Sequence, residues 1–301
     1  MKRPSFILAN VLFVALITII LIPGRMDTPT NVPFIVATVI IEALFLWHYL
    51  PKSKRKPSSC YIVIIVWVLL IVWELVSTDL GLTHPVLIPL PENVFAVFSN
   101  KTPELMRNIK SSLTLFAEGF LTAIVVGNLL GLIVGWLPRV RETVYPIARV
   151  LAPVPAIVFT PYLIFLLPSF RMAAAMVIFL GIFWSTMLNT ILRIEAMDKR
   201  IVDTAKMLGV GTGTMIFKVL LPYLYPSIAK GLKLQLPSAM LIMVMSEMYG
   251  ATSGLGYFII NYTNYANYTN VVAGIILVGI VVTVLDWLVT LFVKKTVRWS
   301  E

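Results

Sequence analysis

Charged residues are scarce in this 301-residue sequence: they make up 13% of it, whereas 59% of the residues are hydrophobic. A typical soluble domain is about one-quarter charged, so this balance excludes an ordinary globular protein. The hydrophobic residues form long continuous runs instead of an alternating pattern, which excludes a membrane β-barrel and favours spanning helices of roughly 20 residues. The sequence therefore predicts an all-α protein, a polytopic bundle of transmembrane helices.

Residues that carry disulfide, metal or catalytic chemistry are also few. Cys60 is the single cysteine, which excludes an internal disulfide framework and a multi-cysteine metal site. The two histidines, His48 and His84, lie far apart and form no H-E-x-x-H pair, so we expect no metal site. The sequence has neither a G-x-x-x-x-G-K-[ST] loop for nucleotide phosphates nor a G-x-S-x-G elbow. We therefore expect no catalytic residues and no cofactor.

Basic residues outnumber acidic ones, giving a net charge of +10. They occur in short clusters between apolar runs and form no continuous basic face, so we expect no nucleic-acid partner. Eight apolar runs are long enough to span a lipid bilayer: 5–22, 33–50, 61–77, 113–137, 144–167, 172–193, 224–248 and 271–293. The positive-inside rule then predicts a multi-pass cell-membrane protein with both termini cytoplasmic. The clusters on that side are at 2–3, 52–56, 139–141, 193–218 and 294–298.

Two regions depart from a simple chain of spans. The predicted fifth span contains prolines that interrupt helical hydrogen bonding, at positions 146, 153, 155, 161 and 168. It is either a kinked packing helix or a helix that lines a pathway. The loop at 78–112 begins with turn residues and continues with helical periodicity, so we expect it to lie along the outer membrane surface.

Polar residues within the apolar runs are candidates for a pathway, because charge is costly in hydrocarbon. They are Glu42, Glu74, Glu118, Glu247, Asp286, Asn128, Asn189 and Gln235. We expect Glu74 and Glu118, which lie near span ends, to reach the membrane interface. For Glu247 two interpretations stay open, a side chain that faces the path and one that makes inter-helix hydrogen bonds.

The cytoplasmic segment 194–223 is too long and too patterned for a simple connector. Residues 198–208 predict a short charged helix in which Ala205, Met207 and Leu208 are available for one face. The glycines at 209, 211 and 213 then allow a sharp turn, and a second helical piece leads back to the membrane. Such a helix is either a lever moved by a partner or an interfacial amphipathic helix without one.

The stretch VDTAKMLGVGTGTMIFKVLLPY resembles the EAA loop of binding-protein-dependent ABC importer permeases. Asp203, Thr204 and Ala205 occupy the positions of the Glu-Ala-Ala triplet, Gly209 that of the glycine, and Leu221 with Pro222 the closing Leu-Pro. The similarity covers about 85–298 and is nearest to the nitrate/sulfonate/taurine/bicarbonate branch. Its other motifs are IPLPENVF, SSLTLFAEGF, PIARVLAPVPAIVFTPYLIF and EMYGATSGLGYFI. Where that branch has Arg after S-L-x, this chain has Leu115.

The resemblance implies a six-span type I permease core in residues 57–301, preceded by two additional helices in residues 1–56. It implies a homodimer or a pair with a similar subunit, two cytoplasmic ABC ATPase subunits and an extracytoplasmic substrate-binding protein. The ATPases would dock on 194–223, through Asp203, Thr204, Ala205, Leu208, Gly209, Leu221 and Pro222. The path for a small solute would be lined by Pro153, Pro155, Gln235 and Glu247.

Two other functions are compatible with a multi-spanning helical protein. A secondary transporter or channel would work without ATPase subunits, but such proteins often have two similar halves and this sequence has no clear internal repeat. A membrane-embedded enzyme would need a convergent catalytic set, which the sequence does not offer. An importer permease therefore accounts best for segment 194–223.

Overall fold

The computed structural model describes residues 4–22, 24–26, 28, 30–50 and 57–296, and regular structure in this part of the chain is helical. Seven helical stretches in it are long and apolar enough to cross a membrane, and one bent pair of helices makes an eighth if it counts as one span. The predicted all-α, polytopic fold is confirmed. The basic clusters at 2–3 and 52–56, together with Arg298, lie outside the described residues.

The helices are α1 (Pro4–Leu21), α2 (Val32–Tyr49), α3 (Pro57–Glu74), α4 (Pro91–Asn100), α5 (Thr102–Trp136), α6 (Pro138–Leu151), α7 (Thr160–Leu166), α8 (Phe170–Glu195), α9 (Lys199–Met207), α10 (Thr212–Thr214), α11 (Leu221–Met248), α12 (Leu255–Asn264) and α13 (Tyr268–Thr296).

The chain divides into two compact units. The first runs to Met106 and includes Ile259–Ile276; the second contains Arg107–Phe258 and the chain from Leu277 onward. The long helices α5 and α13 have residues in both units. The division predicted from sequence, with two additional helices in residues 1–56, stays a prediction.

In the first unit, α1 packs along α3 and α2 packs on α4. The core between these helices is formed by large apolar side chains, with Leu16, Ile20, Phe34 and Trp67 almost fully buried. The ring of Phe34 stacks on that of Phe95 with 5.0 Å between centroids, which joins α2 to α4. Aromatic pairs of this geometry contribute stabilisation beyond that of burying their apolar surface, so this pair helps to hold α4 against α2.

A polar cluster closes the end of α3 in the same unit. The helix continues through a π-helical turn, Leu75–Asp79, in which the Thr78 hydroxyl lies 3.3 Å from a Glu74 carboxyl oxygen and 3.2 Å from one of Glu92. Glu74 and Glu92 are both buried. The expectation that Glu74 reaches the membrane interface is therefore wrong.

Helix α5 is the longest in the described structure and begins earlier than predicted. It comprises 35 residues from Thr102, which at 1.5 Å per residue makes a rod of about 52 Å. Within the predicted surface loop 78–112, only α4 is a separate short helix, and residues 102–112 belong to α5. That expectation was wrong for the second half of the loop, because the helical periodicity there continues without a break into the apolar run.

Small residues bring α5 close to α8 in the second unit. Gly119, Gly127, Gly131 and Gly135 share one face of α5 at intervals of four or eight residues. A Cβ atom on Gly131 would lie 2.7 Å from the Thr190 Cβ and 3.0 Å from the Met187 carbonyl oxygen. Membrane helices use such small-residue faces to pack backbone against backbone. The two helices therefore form one closely packed pair.

The predicted fifth span is interrupted, as its prolines indicate. Helix α6 ends at Leu151, and a 3₁₀ turn, Ala156–Phe159, leads into α7. The two pieces are bent by 87° at the break. Ala156 and Leu163 pack against Ala173 and Val177 of α8, so the bend is fixed by apolar contacts.

Candidate functional site

The segment predicted to contact ATPases folds as a capped helix followed by a tight turn. Asp198 caps α9, its carboxylate accepting a hydrogen bond of 2.9 Å from the Arg200 amide. At the other end, the Gly209 amide donates to the Lys206 carbonyl and the Val210 amide to the Ala205 carbonyl, the two bonds of a Schellman motif. Gly209 has a φ of +68°, in the left-handed region that this motif requires. The predicted turn is confirmed there, whereas Gly211 and Gly213 lie outside that region.

Helix α9 presents two different faces. Ala205 is 7% exposed and packs into a core with Met215, Ile216 and Leu220, so it faces the protein's own interior. Met207 and Leu208 are 89% and 76% exposed. The structure thus separates the three side chains that the sequence assigned to one face. Asp203 and Thr204 are exposed, and the Thr204 hydroxyl donates to the Arg200 carbonyl of its own helix.

The second half of the segment returns to the membrane without a gap. Helix α10 continues through a π-helical stretch, Met215–Leu220, into α11. Pro222 lies in the first turn of α11, directly after the π-helical stretch, where it has no N–H to bond the preceding turn. Leu221 packs against the core that contains Ala205. Ala205, at the third position of the triplet, and Leu221 of the closing Leu-Pro are 16 residues apart in sequence and meet in one cluster.

This cluster also contains the end of α5. Leu132 of α5 is completely buried among Ala205, Met215 and Leu220, and Trp136 packs at its edge. The Lys206 ammonium lies 5.8 Å from the centre of the Trp136 ring, within the range of a cation–π contact. Helix α9 and the C-terminal end of α5 therefore share one apolar cluster.

The predicted path residues are spread over the second unit. Pro153 and Pro155 are exposed at the bend between α6 and the 3₁₀ turn. Gln235 of α11 accepts a 3.0 Å hydrogen bond from Thr186 of α8. Glu247 lies 12 residues further along α11, about 18 Å away. The structure does not bring these four residues together at one point.

Glu247 is fully buried in a hydrogen-bonded set that we call the latch: Glu247 itself, Asn108, Ser111 and Ser112 of α5, and residues 253–256 that follow α11. One carboxyl oxygen accepts from the Ser112 hydroxyl at 2.6 Å and the other from the Gly256 amide at 2.8 Å. The Ser112 oxygen also accepts from the Leu255 amide at 2.8 Å. For Glu247, these bonds correspond to inter-helix hydrogen bonding, one of the two interpretations left open by the sequence.

Two further bonds complete the latch. The Asn108 side-chain oxygen accepts from the Gly254 amide at 3.0 Å, and the hydroxyls of Ser111 and Ser253 lie 2.8 Å apart. Gly254 has a φ of +133°, and a Cβ atom there would clash with the Glu247 carboxyl group. Glycine is therefore required at this position both by backbone conformation and by space.

An ion pair and a small cavity adjoin the latch. Arg171 of α8 donates to both carboxyl oxygens of Glu118, at 3.1 and 2.7 Å, and to the Thr114 hydroxyl at 3.0 Å. Glu118 is half-exposed and lies in the middle of α5, because that helix begins at Thr102; its expected position at the membrane interface stays a prediction. The cavity, about 160 Å³, is lined by Leu115, Arg171, Ser111 and Ser253 among others. A guanidinium group is thus present beside position 115, carried by a different helix.

Glu247 is identifiable from the sequence, but its hydrogen-bond partners are not. The serines lie in SSLTLFAEGF and the glycines in EMYGATSGLGYFI, two motifs already noted for the family resemblance. Their proximity across more than 130 residues was the missing information. In the sequence, an acidic residue within an apolar run is followed 7 and 9 residues later by glycines, and this spacing is the signal that could have indicated a loop folded around a carboxylate.

A polytopic helical fold, together with a capped helix that exposes an apolar tip and packs its other face on the spans, is the arrangement expected of a membrane-embedded transport subunit. The model of binding-protein-dependent transport system inner membrane components matches residues 127–298, more than half of the chain. The protein belongs to this family. It is the membrane-spanning permease subunit of an ATP-binding-cassette importer, a multi-pass inner-membrane protein that works with ATPase and substrate-binding partners.

Individual relatives agree with this assignment. The chain is 28% identical to a candidate aliphatic sulfonates transport permease, SsuC of Bacillus subtilis, covering 78% of this chain and 85% of that protein. It is 28% identical to the nitrate import permease NrtB of Synechocystis (78% and 91% covered) and 25% identical to the taurine transport permease TauC of Escherichia coli (77% and 86% covered). The alternative of a secondary transporter or channel receives no support from these relatives.

A solved structure has a similar fold. A chain of the inward-facing MetNI methionine ABC transporter superposes with a TM-score of 0.50 at 16% identity, covering 65% of this chain and 94% of that one. At this identity the likeness concerns the fold alone. It supports the predicted type I permease core.

Proposed function

We propose that this permease works as a pair with a second copy of itself, that two ATPase subunits dock on segment 194–223, and that both termini face the cytoplasm with that segment. The observation that carries the docking site is the exposed tip formed by Met207 and Leu208. Large apolar side chains this exposed at the end of a well-capped helix gain most from burial by a partner. Asp203, which is also exposed, contributes polar contacts on the same helix.

The roles of the other predicted coupling residues differ. Ala205, Gly209 and Leu221 shape the segment and join it to the transmembrane helices, because they are packed inward or determine the turn. Pro222 is exposed in the first turn of α11 and is proposed to set the start of that helix. Movement of the docked ATPases would then pass through α9 into α5 and α11 as a rigid-body displacement. No covalent chemistry is proposed for this chain.

The docking site is tested by co-expressing the permease with the ATPase subunits encoded beside it and measuring how much ATPase co-purifies in detergent. Burying a Met or Leu side chain contributes about 1.5–3 kcal/mol, or roughly 10- to 100-fold in affinity. We expect Met207→Asp and Leu208→Asp each to reduce retained ATPase at least about tenfold. Retention equal to the wild type in both variants would overturn this docking site.

A matched control uses another exposed side chain. Tyr265 is 75% exposed in the turn between α12 and α13. Tyr265→Asp adds the same charge to a similarly accessible position outside segment 194–223, so ATPase retention should not change. Loss of ATPase in this variant as well would indicate that charge alone disrupts the complex.

We propose a small anion of the nitrate or sulfonate type as substrate, supported by the names of the nitrate and taurine permeases among the relatives. Calorimetry of the binding protein encoded beside this chain, titrated with nitrate, taurine and methanesulfonate, tests this; binding of none of them would exclude the class.

Pro153, Pro155 and Gln235 are proposed to line the path, with Glu247 acting at one end of it. Thiol reagents that reach none of the first three positions after substitution by cysteine, from either side, would remove them from the path.

A further inference from the structure

The latch and segment 194–223 are connected by the same helix. Leu132 and Trp136 of α5 pack in the cluster beneath α9, whereas Asn108, Ser111 and Ser112 of α5 hold the latch. From Ser112 to Leu132 the helix runs 20 residues, about 30 Å, with no proline and no break. An axial or rotational shift at one end is therefore carried to the other.

The packing of α5 supports its action as a rod. Its glycine face lies directly against α8, where even a methyl group would be too close to Thr190 or Ile178. Packed interfaces of this kind move as rigid bodies between discrete arrangements and do not deform continuously. Displacement of the cluster around Leu132 is thus transmitted along α5 instead of being absorbed within it.

The latch is suited to two discrete states. Ser112 is its central group, because its hydroxyl donates to Glu247 and accepts from Leu255. Hydrogen bonds weaken steeply beyond normal distances and angles, so a shift of α5 by one or two ångströms would break several of them together. The loop they hold contains Gly250 and Gly254, both with positive φ, and glycines allow the chain to adopt a second conformation.

We propose that the latch opens and closes in each transport cycle, with Ser112 and Glu247 as positioning residues that couple the movement of α5 to the loop 249–256. This inference rests on the proposed docking of ATPases at segment 194–223, which supplies the displacement. The latch then controls access at the end of the permease far from the ATPases. Its hydroxyls and amides have no role in binding ATPase subunits.

The test uses the 2.8 Å approach of the Ser111 and Ser253 hydroxyl oxygens. The double variant Ser111→Cys/Ser253→Cys places two sulfurs close enough for a disulfide with small adjustments. The native Cys60 is buried. The permease–ATPase complex is reconstituted in liposomes, and ATP hydrolysis is measured after oxidation with copper phenanthroline and again after reduction with dithiothreitol.

We expect oxidation to lower ATP hydrolysis at least fivefold and reduction to restore it. Cross-linking should also be several-fold slower in a complex trapped with ATP and vanadate than in the nucleotide-free complex, because the two side chains separate. Equal hydrolysis by the oxidised and reduced complexes, or equal cross-linking rates in the two states, would overturn the proposal. If the oxidant forms no bond, a methanethiosulfonate cross-linker with a one-carbon spacer joins the same sulfurs and the same comparisons apply.

The controls separate this proposal from the proposed function. The single variants Ser111→Cys and Ser253→Cys should each hydrolyse ATP at the same rate before and after treatment with the oxidant, because neither can form the cross-link. An absence of ATPase from the reduced complex would count against the docking site. A complex that is active when reduced and equally active when oxidised would leave the docking site intact and remove the latch from the cycle.

Discussion

The two ends of α5 differ in how far the groups around them are already covered by contacts within the chain. At the latch, a buried carboxyl group, four polar side chains and three backbone amides form hydrogen bonds with one another, and Glu247 has no exposed surface. At segment 194–223, the helix α9 has its hydrogen bonds satisfied by caps but leaves Met207 and Leu208 uncovered. The first arrangement finds most of its hydrogen-bond partners within the chain, although the Asn108 side-chain nitrogen is buried without one, whereas the second would gain stability from a partner.

This difference follows from the free-energy cost of burying polar groups without hydrogen-bond partners. A buried polar group without a partner costs about 1–3 kcal/mol, so a polar cluster in a membrane protein must be closed by its own chain. An exposed apolar side chain costs far less free energy, so it can stay exposed until a partner covers it. The polar end is thus the place where a substitution should harm folding, and the apolar end the place where it should harm assembly.

The largest expected effect comes from removing the carboxyl group at the centre of the latch. Glu247→Ala leaves the Ser112 hydroxyl and the Gly256 amide without their acceptor, which should destabilise the fold by about 4 kcal/mol if each donor costs about 2 kcal/mol. Unfolding by SDS titration in mixed micelles measures this loss. Glu118→Ala removes a half-exposed ion pair with Arg171 and should cost about 1 kcal/mol or less. If the two variants lose a similar free energy of unfolding, the hydrogen bonds of the latch contribute no more to stability than a half-exposed ion pair.

The next largest effect is expected where α5 packs against α8, between the latch and segment 194–223. Gly131→Ala places a methyl group 2.7 Å from the Thr190 Cβ, and overpacking of this kind costs about 1–3 kcal/mol. Gly279 of α13 is a matched control, since a Cβ there meets no atom within 4 Å. Gly279→Ala should be neutral or stabilise by up to about 1 kcal/mol through helix propensity. Thermal unfolding in detergent compares the pair, and a Gly131→Ala protein as stable as the control would show that α5 and α8 are loosely packed.

The sequence was sufficient to predict most of the fold, because hydrophobic run length is a strong signal in membrane proteins. The interruption near Pro153 and Pro155 followed from the missing proline N–H groups. The early start of α5 at Thr102 did not, since residues 102–112 are polar enough to resemble a surface segment and are helical only as a continuation of the span.

The candidate site was predictable in part, for a physical reason. The turn at Gly209 is a local property of a few adjacent residues, and a glycine after a short charged helix is enough to predict it. The inward position of Ala205 depends on contacts with Leu132 and Leu220, which lie elsewhere in the sequence. The latch depends on contacts between residues near 110 and near 250, so no local pattern could define it.

The smallest expected effect tests the turn at the exposed end. Gly209 has a φ of +68° and no atom within 4 Å of a Cβ, so Gly209→Ala introduces backbone strain of about 1 kcal/mol and no clash. Gly213 has the same open surroundings but lies in α10 with ordinary helical conformation, so Gly213→Ala should be neutral or slightly stabilising. Because the strain falls on the turn beside Met207 and Leu208, Gly209→Ala should lower ATPase retention more than it lowers the thermal stability of the isolated permease. A loss of stability without any loss of ATPase would mean that this turn supports the fold and has no part in presenting the apolar tip.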